Sequence, residues 1–224
     1  IQGVEQFDEM VLSRKPGHCF GWDIGPRLVS AGLWKDVSVE IAEKTRFTEL
    51  YLTTKEVRNN AATLFFAWRF STDDLTLSDF SVRIAGICKD SQFTKTVASF
   101  YTGCRCDILV PNPQLWWPRG YGEANLYHIT VELLQAGKVL DKRCFDFGIR
   151  EVQLETCWKS GDEGEFKIWV NHTPIQAKGS NWVFLDALHS RDAGRLDKAM
   201  DLVLEANCNI LRCWGGNVYE SDRF

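Results

Sequence analysis

The chain is 224 residues long, 45% hydrophobic and 25% charged, with a formal net charge of -4. That length supports one large domain or two modest ones around a real hydrophobic core. The mild acidity excludes an electrostatic nucleic-acid binder, which would carry a basic stripe, and no apolar run reaches the roughly eighteen residues of a membrane span.

The chain opens on Ile1, and no basic segment followed by an apolar stretch marks a signal peptide. Residues 1–43 are dense in turn residues, with Gly17, Gly21, Gly25, Pro26 and Gly32 closely spaced. Residues 33–41 then alternate, placing Val37, Val39 and Ile41 on one face, which predicts a strand at the tail of a β domain. From 44 to 149 the period is two. Leu64, Phe66, Trp68 and Phe70 share one face, and Phe80, Val82 and Ile84, then Tyr127, Ile129, Val131 and Leu133, repeat the pattern. Asn59-Asn60, Lys89-Asp90 and Ala136-Gly137 punctuate the strands. About six or seven short strands in roughly a hundred residues predict an immunoglobulin-like sandwich.

After residue 150 the texture changes. Residues 165–170 alternate as a strand, Asn171-His172-Thr173-Pro174 is a turn, and a further strand runs to Ser180-Asn181-Trp182. Leu196, Ala199, Met200 and Val203 fall at helical spacing within 192–207, with Ser190 or Asp192 able to cap the start. Residues 208–213 return to strand and close on Trp214-Gly215-Gly216. Strand, helix, strand predicts a parallel pair. The fold class is therefore mainly β, with a new domain opening on a βαβ unit over 150–224; suppose that this domain begins a (β/α)8 barrel. In that fold the active site lies at the C-terminal ends of the strands. Asn181 and Trp182 arrive there from the first strand, Arg212 and Trp214 from the second.

Five of nine tryptophans sit in short polar and glycine-containing clusters: Trp22 beside Asp23, Trp116-Trp117, Trp182 after Asn181, and Trp214 near Arg212. An aromatic face beside polar groups suits a sugar ring, and the Asp23 carboxylate suits paired hydroxyls. On the residues alone, Trp182 and Trp214 plugging a barrel top, with Arg212 paired to an acid, is an equal alternative. Trp116-Trp117 is expected at domain contacts. Asn171-His172-Thr173 matches a glycosylation sequon. Cys88, Cys144, Cys208 and Cys213 lie in apolar strand-like runs and read as small hydrophobes. Neither the eight cysteines nor the four histidines show metal-ligand spacing, so no metal or cofactor is expected.

The runs 20–28 (FGWDIGPRL) and 32–37 (GLWKDV) resemble the end of the sugar-binding-like, jelly-roll-like first domain of family 2 glycoside hydrolases of the β-mannosidase branch. The runs 115–122 (LWWPRGYG) and 147–152 (FGIREV) resemble the last strands of that family's Ig-like domain. The runs 170–182 and 206–220 resemble the opening of its catalytic barrel. The resemblance implies domains at 1–43, 44–149 and 150–224. It also implies a retaining exo-glycosidase that removes terminal β-mannose, with Trp22, Asp23, Asn181, Trp182, Arg212 and Trp214 in or behind the sugar-binding wall. The implied partner is a carbohydrate, with no nucleic acid or membrane. An extracytoplasmic site of action is the expectation for a polysaccharide-degrading enzyme, with a cytoplasmic one open, and the oligomeric state is open.

Ile24 stands where the family has a tryptophan, Asn217 where it has a glycine, and His172 where it has a turn glycine. The family's catalytic glutamates lie on later barrel strands, the first after an asparagine. No Asn-Glu dipeptide occurs in this sequence, so no catalytic residue is expected in these 224 residues and the chain by itself is expected to be inactive. An exo-β-glucosaminidase or other family 2 glycosidase, or a non-catalytic carbohydrate-binding or scaffold sandwich, are the alternatives.

Overall fold

The computed structural model describes residues 12–21, 25–157 and 165–224. The chain divides into two compact units, Glu40–Gln176 and a second formed by Ile1–Val39 with Ala177–Phe224.

The first unit begins with seven strands: β1 (Arg46–Arg58), β2 (Ala61–Ser71), β3 (Phe80–Cys88), β4 (Ser91–Ala98), β5 (Gly103–Pro111), β6 (Tyr127–Gln135) and β7 (Lys138–Phe147). They form two antiparallel sheets, ordered β1-β2-β5 and β4-β3-β6-β7. The alternation read from the sequence is the alternation observed. Leu64, Phe66, Trp68 and Phe70 of β2 are buried against Phe80, Val82 and Ile84 of β3 and Ile129, Val131 and Leu133 of β6. The polar atoms inside this core are paired: the Trp68 indole donates to Ser99 Oγ at 3.1 Å, and the Tyr127 hydroxyl donates to Ser91 Oγ at 2.6 Å. The hairpin corners sit at positive φ, with Asn59 and Asn60 at 51° and 57° and Ala136 and Gly137 at 48° and 82°. Two such residues give a turn whose twist matches that of the strands it joins.

A third sheet, β8 (Val152–Cys157), β9 (Glu165–Val170) and β10 (Thr173–Ile175), belongs to the same unit and is ordered β10-β9-β8. Its β9–β10 turn is Asn171-His172, at φ 49° and 62°. Histidine in place of glycine is accommodated because its side chain works. The ring Nε2 lies 2.7 Å from the Val57 carbonyl. Asn171 is buried; its Oδ1 accepts from the Glu151 amide at 3.0 Å and its Nδ2 donates to the Trp116 carbonyl at 3.0 Å. The sequon amide is thus committed to the fold. Trp116, expected at a domain contact, packs inside its own unit. Its ring lies where a Cβ on Gly148 would stand 2.9 Å from Cγ, and the Arg150 guanidinium sits 4.5 Å above it.

In the second unit, β11 (Gly179–Trp182) and β12 (Ile210–Cys213) are parallel neighbours joined through the helix α1 (Leu196–Glu205), the expected βαβ unit. Leu196 is buried and Ala199, Met200 and Val203 are half-buried, so the inward face is the one the spacing predicts. The start of the helix differs. A 3-10 turn over His189–Gly194 precedes it, and Arg195 takes the N-cap position without a side-chain cap. Asp192 does not cap because its carboxylate is bound to His189. The strand predicted over 33–41 is absent. No described strand pairs with these residues, and Val37, Val39 and Ile41 are exposed; an extended segment without a neighbour leaves its backbone to water. Of the cysteines read as core residues, Cys88 is buried and Cys208 half-buried, whereas Cys144 and Cys213 are exposed. Cys144 lies on β7, at the edge of its sheet.

Asn171→Ala should cost about 2–4 kcal/mol, because it strands two part-buried backbone groups and puts alanine, which tolerates the left-handed region less well than asparagine, at φ 49°. Asn171→Gly should recover only the backbone part. Urea unfolding of the two variants checks this; equal stability to the parent chain would show that the clasp contributes nothing.

Candidate functional site

The parallel pairing of β11 and β12 brings Asn181 opposite Arg212 and Trp182 opposite Cys213 at the C-terminal ends of both strands. Arg212 Nη1 donates to Asn181 Oδ1 at 3.0 Å, so the amide orients the guanidinium while both side chains stay exposed. Alternation along the strand sends Trp182 to the other face. There it is buried, its indole Nε1 donates to Glu220 Oε1 at 2.7 Å, and its ring meets Phe224 at 5.1 Å between centroids. Trp182 is thus a backing residue, while Asn181 and Arg212 form the open edge.

Trp214 follows directly, and its amide donates to the Trp182 carbonyl at 3.0 Å. Its indole lies so close to Gly216 that a Cβ there would stand 2.2 Å from a ring carbon. Glycine is required at 216 by that approach. The next residue, Asn217, accepts no such contact; its amide donates to the Trp214 carbonyl at 3.2 Å and its Nδ2 to Glu220 Oε1 at 3.4 Å. Glu220 therefore acts as the acceptor that folds residues 214–220 back over Trp182. Trp22 and Asp23, the remaining two sequence candidates, lie outside the described residues, as does Ile24.

A cavity of about 560 Å³ opens in the same unit, lined among others by Trp34, Asp36, His189, Asp192, Tyr219 and Glu220. Its size lies within the roughly 300–1,000 Å³ of small-molecule sites. Trp34 is half-exposed, with the Lys35 ammonium 5.0 Å from its ring and the His189 ring 5.7 Å away. An indole face in a cavity also lined by carboxylates is chemistry that meets a hydroxylated ring. Sequence reasoning quoted Trp34 and Asp36 only as part of a run. Their signal was an aromatic and an acid two residues apart just after Gly32.

Behind the cavity runs a buried chain of hydrogen bonds. His18 is 2% exposed and stacks on Phe184 at 4.5 Å. Its Nδ1 faces the Gly216 carbonyl at 3.0 Å, and a carbonyl only accepts, so Nδ1 carries a proton. Burial lowers the His18 pKa from its ordinary value, so the ring is neutral and its Nε2 offers a lone pair. His189 Nε2, 2.8 Å away, must then donate. His189 Nδ1 lies 2.6 Å from Asp192 Oδ2. Burial also pushes the Cys19 thiol up, and its Sγ is 3.7 Å from His18 Nε2. The loop carrying His189 is held by Asp186. That carboxyl is kept below its usual range by the Leu188 amide at 2.8 Å and, secondarily, by Arg195 at 2.8 Å. Among the described residues, His18, Cys19 and His189 are the group whose donor atoms gather closely enough to hold a metal ion.

The family model for "Glycosyl hydrolases family 2" matches residues 45–150. A β-mannosidase of Mus musculus is 31% identical over 239 residues, covering 99% of this chain and 26% of the mouse protein. A β-mannosidase B of Aspergillus clavatus is 30% identical, covering 94% of the chain and 25% of the fungal protein. The crystal structure of a β-D-mannosidase from Dictyoglomus thermophilum superposes with a TM-score of 0.76 at 31% identity, over 94% of this chain and 26% of that one. The chain thus spans about a quarter of the length of these relatives.

The lowered His18 pKa has a defined sign. The unfolded histidine takes a proton near 6.5 and the folded one resists it, so the unfolded state binds more protons below 6.5 and stability is lost as pH drops through that window. His18→Gln should flatten that dependence. Urea midpoints of both chains between about pH 5 and 7.5, in chelator, check it; parallel pH profiles would count against the assignment.

Proposed function

The chain belongs to glycosyl hydrolase family 2, and from that premise we propose that the protein it comes from is a retaining exo-glycoside hydrolase releasing terminal β-mannose from oligosaccharides or glycoconjugates. The observation that carries this reading is the Asn181–Arg212 pair at the C-terminal end of a parallel βαβ unit, where a (β/α)8 enzyme builds its active site. The guanidinium offers a fixed fork of donors to adjacent sugar hydroxyls. Trp214 supplies an aromatic face and Trp182 backs the wall, and the family resemblance assigns Trp22 and Asp23 to sugar binding as well. The mannose preference draws its support from relatives named as β-mannosidases at about 30% identity.

Retaining hydrolysis needs two carboxyl groups roughly 5–5.5 Å apart, one acid/base and one nucleophile. Glu220 is engaged by Trp182 and Asn217 and is assigned a positioning role. In this proposal both catalytic carboxyls are supplied from outside these 224 residues.

A panel of aryl glycosides tested on the full-length protein decides the reading. Aryl β-mannoside should show the highest kcat/KM; a higher value for β-glucosaminide would move the specificity, and no turnover of any glycoside would end the enzyme proposal. Arg212→Lys should lower kcat/KM on the best substrate by about 10–1,000-fold, because an ammonium lacks the planar fork. The 224-residue chain alone should turn over none of the panel.

A further inference from the structure

We propose that His18, Cys19 and His189 form a binding site for a zinc-class divalent cation, which ties the turn carrying His18 and Cys19 to the loop after β11. The two histidines are 171 residues apart in sequence, and their Nε2 atoms converge to 2.8 Å. Cys19 Sγ stands 3.7 Å from His18 Nε2, and one donor atom from each of the three residues lies within 4.8 Å of the others. Zinc bonds of about 2.0–2.1 Å to nitrogen and about 2.3 Å to sulfur, at tetrahedral angles, ask for donors roughly 3.3–3.6 Å apart. The sulfur and His18 are already near that spacing. The two imidazoles need to part by about half an ångström, and a rotation of the Cys19 side chain closes the remaining distance.

The outer contacts match a ligand set as well as the inner ones do. A metal-bound histidine characteristically donates its other ring N–H to a carbonyl or carboxylate, which fixes the tautomer and aims the ring. Here His18 Nδ1 faces the Gly216 carbonyl and His189 Nδ1 faces the Asp192 carboxylate, so both Nε2 atoms are directed at the same point. Among the described residues, the buried Asp192 Oδ1 meets no hydrogen-bond partner. Asp192 is the carboxylate that would stand behind a ligating His189 ring. Two imidazoles and a thiolate form the borderline-soft donor set that zinc prefers over magnesium or calcium. Three protein ligands leave the fourth position to water.

Binding is balanced by two protons. The cation takes the lone pairs of both Nε2 atoms and of the Cys19 thiolate. The proton shared between the two rings and the thiol proton pass to solvent, while both Nδ1–H groups keep their acceptors.

Co²⁺ provides the direct test, because a thiolate ligand gives a sulfur-to-cobalt charge-transfer band and four-coordination gives intense visible bands. The purified 224-residue chain, stripped with chelator, should bind one equivalent of Co²⁺ with both signatures, and Zn²⁺ should displace it. Zn²⁺ at about a hundred times its Kd should raise Tm by roughly 5–10 °C. Cys19→Ser should abolish the charge-transfer band, and His189→Gln should weaken binding at least tenfold. Circular dichroism of each variant establishes that it is folded. If neither the spectrum nor the Tm responds to metal, the cluster is only a hydrogen-bonded relay. A band that survives Cys19→Ser, or affinity indifferent to His189→Gln, would place the metal elsewhere and overturn the site.

Discussion

Side chains on a strand alternate between faces, so a slip of one residue in β2 would turn Leu64, Phe66, Trp68 and Phe70 into solvent together. Each such side chain contributes about 1.5–3 kcal/mol by burial. Losing four of them would cost as much as the roughly 5–15 kcal/mol that holds a typical domain folded. The register of β2 is therefore the constraint on which the sandwich depends. It sets which residues of β1 and β5 face outward. The same requirement on β6 and β7 leaves two residues for their turn, which explains positive φ at both Ala136 and Gly137.

The second unit is organised differently. Its described buried residues are few, among them His18, Cys19, Phe20, Trp182 and Leu196. Buried polar groups do much of the joining: His18 reaches Gly216, His189 reaches Asp192, and Trp182 reaches Glu220. A hydrogen bond in such a setting contributes only about 1 kcal/mol net, but leaving one partner unmatched costs more. The network therefore specifies geometry more than it supplies stability. This suits the proposed role of holding Arg212, Asn181 and Trp214 at fixed positions.

Carboxylates show the same economy. Glu151 receives the Val57 amide, Asp186 the Leu188 amide, and Glu220 the Trp182 indole. Each is committed to organising a turn or a ring. These three acids are thus occupied by positioning, in keeping with a chain whose proposed chemistry needs two further carboxyl groups.

The sandwich was legible in the sequence because burial on one face of a strand writes a period of two directly into residue type, as in β2, β3 and β6. The inward face of α1 was legible by the same logic at a period of 3.6. Residues 33–41 carried the period without becoming a strand, since a strand also needs a neighbour to take its hydrogen bonds and alternation is silent about neighbours. The Asn181–Arg212 edge was legible through motif and order along the chain. Its division from Trp182, which alternation turns to the buried face, became visible only once the parallel pairing was known. The His18–Cys19–His189 cluster was not legible at all. No spacing rule connects residues 171 apart, and only folding, by paying loop-closure entropy once for the whole unit, brings their nitrogens to a common point.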